Sequence, residues 1–231
     1  GITLSLTGGS ASGGAGLDTL SNIEEVEGSA QADSLTGSAN ADLLLGLRGN
    51  DTLSGGDGAD TLEGGIGDDL IDGGVGIDRA TYTNAGAAVT VSLALTTAQA
   101  TGGAGSDALV NIEILEGSGF GDSLTGSANA DQLWGLAGND TLSGGDGNDT
   151  LLGGAGDDSL DGGNGVDRVS FVDASAGVTL ILGLAGPQAT GGSSNETLVS
   201  IEQIEGSLFN DSIIGSAGAD LILGLAGNDT I

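Results

Sequence analysis

Aspartate recurs in this sequence at a fixed interval, on turns rich in glycine, and it is the residue type best placed to do chemistry. From Gly28 the chain reads GSAQADSLT, GSANADLLL, GLRGNDTLS, GGDGADTLE, GGIGDDLID and GGVGIDRAT without a gap as far as Thr81. A second run of six nonads occupies Gly117 to Ser170, and a third begins at Gly206 and reaches Ile231 inside its third nonad. In all fifteen nonads position one is Gly, position six is Asp and position eight is aliphatic. The acidic column is Asp33, Asp42, Asp51, Asp60, Asp69 and Asp78, then Asp122, Asp131, Asp140, Asp149, Asp158 and Asp167, then Asp211, Asp220 and Asp229. Tight Gly-x-Asp turns alone do not require Asp at every repeat. Carboxylates and turn carbonyls together offer six to eight oxygens, the ligand set that Ca²⁺ prefers, whereas Mg²⁺ demands stricter octahedral geometry.

Other chemistries lack their parts. The chain contains no His and no Cys, so Ser-His and Cys-His nucleophilic catalysis have no base, and no GxSxG is present. The GxGxxD stretches never complete the GxGxxG of a dinucleotide site. Acidic pairs such as Asp68-Asp69 and Asp157-Asp158 sit inside the repeating turn, which argues against a glycosidase couple. Asn50-Asp51-Thr52 matches a glycosylation sequon but follows from the repeat itself.

The elements that position the aspartates follow from the nine-residue period. Three residues of strand place the middle side chain on one face and its neighbours on the other. Six residues of turn, with glycines for φ > 0, then reverse the chain. Two half-turns make an 18-residue coil, and coils stack at the ~4.8 Å spacing of paired strands. Nonads two apart land on one edge, so Asp33, Asp51 and Asp69 share one side and Asp42, Asp60 and Asp78 the other. Unaided, such columns of like charge repel. A cation between successive turns, held by two carboxylates and by carbonyls such as those of Gly46, Gly55, Gly64, Gly73, Gly135, Gly144, Gly153 and Gly162, converts the repulsion into a clamp. One ion per gap gives four in each six-nonad array and one in the last, hence up to nine, which leaves the chain acidic when loaded.

A longer period of 89 residues relates Gly28, Gly117 and Gly206. It divides the chain into a partial inter-array segment (1–27), array 1 (28–81), an inter-array segment (82–116), array 2 (117–170), a second such segment (171–205) and array 3 (206–231). Each inter-array segment has an alternating run, as at Val89, Val91, Leu93 and Leu95, that reads as a half-buried strand. Each also carries an isolated nonad. Those at Gly13 to Ser21 and Gly102 to Val110 supply Asp18 and Asp107 as further ligands, while the third has Glu196 in place of Asp. These segments are expected to be wider coils of the same solenoid. The first nonad of each array has Ser at position two and lacks the usual Gly at position four, which makes Asp33, Asp122 and Asp211 the weakest ligands. Arg79 and Arg168 follow the last Asp of an array, either as surface residues or as replacements for a missing ion.

Composition agrees. The 231 residues hold 33 Asp and Glu against 3 basic residues, a formal charge of -30, with 48 Gly, 38% hydrophobic and 2% aromatic residues. Thin layers of small aliphatics fit these figures better than one bulky core. The charge disfavours nucleic acid and anionic membranes as partners, and the longest apolar stretch is far too short to span a bilayer as a helix.

The nonads GGDGADTLE, GGIGDDLID, GGDGNDTLL and GGAGDDSLD resemble the GGxGxDxUx signature of RTX, or haemolysin-type calcium-binding, repeats, and the intervening segments resemble those of large RTX proteins. The resemblance implies an all-β, right-handed parallel β-roll or β-solenoid, export by a type I system and folding on extracellular Ca²⁺. The expectation is a calcium-binding structural module of a secreted or bacterial cell-surface protein, such as an adhesin stalk, S-layer component or filament, without enzymatic activity and with contacts to other copies of itself. The alternative is the C-terminal calcium block of a secreted enzyme, which usually contains one array and not a recurring unit.

Overall fold

The computed structural model describes residues 1–13, 16–191 and 195–231, and it is built from short strands with no helix among them. The chain divides into two compact units, Gly1–Glu116 and Gly117–Ile231.

In the first unit, Ser34–Thr36, Thr52–Gly58, Leu70–Gly76 and Ser106–Val110 stack side by side in one parallel sheet. Glu25–Glu27, Leu43–Leu45, Thr61–Glu63, Arg79–Thr81 and Ile114–Glu116 stack in another. The register is strict, with Leu35 opposite Leu53 and Leu53 opposite Ile71. The three-residue strands turn their middle residue inward, so the core is two facing columns: Leu35, Leu53, Ile71 and Leu109 against Val26, Leu44, Leu62, Ala80 and Leu115. A slip of one residue would expose a whole column, which is why the alternation fixes register.

The second unit repeats the plan. Ser123–Thr125, Thr141–Asp146, Ser159–Asn164 and Asn195–Val199 form one parallel stack. Gln132–Trp134, Thr150–Leu152, Arg168–Ser170, Gln203–Glu205 and Leu221–Leu223 form the other. Thr179–Ile181 pairs in parallel with Ser212–Ile214. The architecture is a parallel β-roll with 18-residue coils in the arrays.

The inter-array segments join the roll, but by a route that the nonad pattern does not show. Gln99–Ala100 returns antiparallel against Ser106–Val110 before the latter takes its place beside Leu70–Asp72. Gln188–Ala189 and Asn195–Val199 repeat this hairpin. Ser10–Gly13 and Gly16–Thr19 pair antiparallel too, yet the second of these strands has no parallel partner among the described residues.

Candidate metal centre

The aspartates of position six form two buried columns in each unit. Asp51, Asp60, Asp69, Asp78, Asp140, Asp149, Asp158 and Asp167 are all at most 3% exposed. One oxygen of each carboxylate is used within the protein. The amide of Asp33 donates to Asp51 Oδ1 at 2.7 Å, that of Asp51 to Asp69 at 2.8 Å, and that of Asp60 to Asp78 at 2.8 Å. The second unit repeats the ladder from Asp122 to Asp140 and Asp158, and from Asp131 to Asp149 and Asp167. The other oxygen, Oδ2, of those eight residues is buried with no hydrogen-bond partner among the described residues.

Glycine at position one makes room for that free oxygen. A Cβ added at Gly46 would touch both Asp51 Oδ2 and the Gly64 carbonyl, and one at Gly144 would touch Asp149 Oδ2 and the Gly162 carbonyl. All eight carbonyls expected as ligands, from Gly46, Gly55, Gly64, Gly73, Gly135, Gly144, Gly153 and Gly162, stand in this way against the first glycine of the nonad one coil earlier. At position two the backbone turns through positive φ, and Leu47, Leu136 and Leu225 accept it at 78°, 75° and 62° where later nonads have Gly.

In the first nonads the serine at position two reaches the carboxylate with both of its donors. Ser29 donates its amide and hydroxyl to Asp33, Ser118 does so to Asp122 and Ser207 to Asp211. Both oxygens of these carboxylates therefore have local donors. Asp220 is capped in the same way by Ser216 and is half-exposed. In the second nonads the Ser38 and Ser127 amides take one oxygen of Asp42 and Asp131, and the other is buried without a partner. Asp229 accepts from the Asp211 amide at 3.0 Å.

The columns run past the arrays. Asp107 Oδ1 accepts the Asp69 amide at 3.0 Å, and Glu113 and Glu202 accept the amides of Asp78 and Asp167 at 2.9 Å. The separations are 38 and 35 residues instead of 18, so Glu113 and Glu202 escape a nine-residue template. Their signal is the Ile-Glu after a residue in the left-handed region, Asn111 at φ 53° and Ser200 at φ 52°. A gap count based on the arrays alone omits these positions. Asp18 departs from expectation: it lies on an exposed hairpin strand opposite Ala11, and no column carboxylate stacks on it. The reason is local, since that hairpin lacks the parallel neighbour that seats Asp107. Arg79 meets Glu116 at 3.5 Å and donates to Thr61, and Arg168 donates to Gln203, so both guanidiniums work on the outer face of a sheet.

The electrostatics of the columns are those of charges awaiting a counterion. Burial, with neighbouring carboxylates adding to it against the opposing amide hydrogen bond, pushes Asp69 and Asp140 up to about 7 and Asp149 and Asp158 up to about 6. Asp51, Asp60, Asp78 and Asp167 move up for the same leading reason. A buried carboxylate oxygen without a donor is costly, and here the cost recurs at every coil. Among the described residues no three acidic side chains converge on one point. A cation would take its carboxylates from a column and its remaining oxygens from backbone and water, a mixture that suits Ca²⁺. The donor set fits that ion, whose charge would neutralise the columns.

Stacked parallel coils with orphaned carboxylate oxygens along their columns define a calcium-binding β-roll. The RTX calcium-binding nonapeptide repeat matches residues 20–53, 45–80, 112–142, 134–169 and 200–231, and the chain belongs to that family. No curated protein matches it. Among solved structures it is similar to the extracellular lipase LipA from Serratia marcescens, at 23% identity and a TM-score of 0.33 over 79% of this chain and 42% of the lipase. The chain thus spans less than half the length of that enzyme.

Proposed function

We propose that this calcium-binding repeat module is a structural element of a large secreted or cell-surface protein, and that it folds when Ca²⁺ enters its columns after export. The observation that carries the reading is the buried, donor-free Oδ2 of Asp51, Asp60, Asp69, Asp78, Asp140, Asp149, Asp158 and Asp167. In this reading these residues, with Asp42, Asp131 and the position-one carbonyls, hold the ions. The Ser-capped Asp33, Asp122, Asp211 and Asp220 contribute least.

Bound ions lend their free energy to the fold because the unfolded chain has no preformed site. Extracellular modules bind Ca²⁺ at ~10⁻⁴ to 10⁻³ M, so the coils stay open where calcium is scarce and close outside the cell. The 89-residue recurrence makes length the adjustable property, as suits a stalk, surface layer or filament. Far-UV circular dichroism of the purified chain at pH 7.5, with calcium and then with excess EGTA, tests the proposal. Strand signal that appears with calcium and collapses with the chelator is expected. An unchanged spectrum and melting point in EGTA would overturn it.

A further inference from the structure

The two units end one acidic column differently. In the first, Asp69 is followed by Asp107, which is 1% exposed. Its Oδ1 accepts the Asp69 amide, and its Oδ2 accepts the Tyr82 hydroxyl at 3.1 Å and the Thr101 hydroxyl at 3.2 Å. Both oxygens of Asp107 are therefore supplied by protein donors, and of this pair of carboxylates it is Asp69 Oδ2 that has no partner among the described residues.

Moving 89 residues along the chain turns Asp69 into Asp158, Asp107 into Glu196, Tyr82 into Phe171 and Thr101 into Thr190. The ring is still buried, at 4% for Phe171 against 3% for Tyr82, but the hydroxyl is gone. Glu196 is 1% exposed, and among the described residues neither of its oxygens has a hydrogen-bond partner; the Asp158 amide favours its charge but does not outweigh its burial. Asp158 Oδ2 is equally without a donor. The substitutions thus remove a phenol that would satisfy the acid and put a longer acid in its place, leaving Asp158 Oδ2 and both Glu196 oxygens buried without a donor among the described residues. Hard oxygen donors, paired charges and a missing counter-charge are what a hard divalent ion such as Ca²⁺ requires.

We infer that Asp158 and Glu196 hold an additional divalent cation at the end of the second unit's column, at a position where the first unit instead supplies its last carboxylate, Asp107, from the hydroxyls of Tyr82 and Thr101. The inference rests on the calcium reading of the columns. Its alternative is a protonated Glu196 that binds nothing.

Native mass spectrometry of the full chain in calcium counts bound ions directly, with circular dichroism on the same samples to establish folding. Glu196→Gln keeps the shape and removes the charge; Phe171→Tyr restores the hydroxyl of the first unit. Each is expected to bind one ion fewer than the parent with the strand signal retained. An unchanged count in folded Glu196→Gln would overturn the site. If that variant fails to fold in calcium, the count for Phe171→Tyr decides in its stead. A parent chain that binds no calcium would sink the wider reading, whereas a loaded parent whose count is unmoved by either change sinks this site alone.

Discussion

The backbone amide of Asp42 donates to Oδ1 of Asp60, one 18-residue coil further on, at 2.8 Å. This single contact divides the work of the carboxylate. One oxygen aligns the coils, and the other, buried without a partner among the described residues, is the one that the proposed function gives to a cation. The same residue type is therefore both a rung of the ladder and half of a binding site, and the two roles can be separated by substitution.

Asp60→Asn separates them. The amide oxygen still accepts from Asp42, while the charge on the second position is lost. In EGTA the variant is expected to keep its strand signal to a higher pH than the parent, because a repelling buried charge is gone. In calcium it is expected to melt lower, with a weaker calcium midpoint. Circular dichroism across pH in EGTA and thermal melts in calcium check this crossing, and a shift of the same sign in both would refute the division of roles.

Acidity should act on the metal-free and metal-loaded forms in opposite directions. Burial raises Asp69 and Asp140 to about 7 and Asp149 and Asp158 to about 6 from an unfolded value of 3.8. A pKa raised by folding means that the folded form binds protons more readily. Its stabilising contribution is then complete below about pH 4 and lost as pH rises through 6 and 7. In EGTA the chain should show strand signal near pH 5 and lose it by pH 8. Calcium affinity should rise over the same window as the ion displaces protons, measurable by calorimetry in buffers of different ionisation heat.

Glycine at position one is expected to be irreplaceable where it adjoins a free oxygen. Gly144→Ala would drive a methyl into Asp149 Oδ2 and the Gly162 carbonyl, whereas Gly86→Ala meets nothing within 4 Å. The first should abolish cooperative calcium-induced folding or shift its midpoint at least several-fold. The second should leave stability within about 0.5 kcal/mol, as an open surface position allows. Calcium titrations followed by circular dichroism distinguish them.

Within the core, Leu53 is fully buried between Leu35 and Ile71. Leu53→Ala should cost about 2–5 kcal/mol in saturating calcium, read from urea unfolding. The expected loss lies toward the upper part of that range, because a one-residue-deep column has no second layer to relax into the space.

Much of this was legible before any coordinates. The invariant Asp and aliphatic positions predict the 18-residue register, and Leu35, Leu53 and Ile71 stack as the period demands. The missing Gly at position four, with Ser at position two, makes Asp33, Asp122 and Asp211 the weakest ligands expected, and in the structure each accepts from the hydroxyl of its nonad's serine. What escaped the period was whatever depends on insertions. Glu113 and Glu202 enter the columns only after a hairpin adds length between coils. Asp18 matches the nonad in full yet stays exposed, because a motif supplies a turn but not the neighbour on which the turn must rest.

The core of each unit is two facing files of aliphatic side chains, held in line by main-chain bonds between successive coils. Such a stack resists load as a zip fastener does, one tooth at a time. Pulled from its ends, it would release coils in sequence, each freeing about 60 Å of contour for its 18 residues, so that tension is dissipated in many small steps while calcium stands ready to re-close every one.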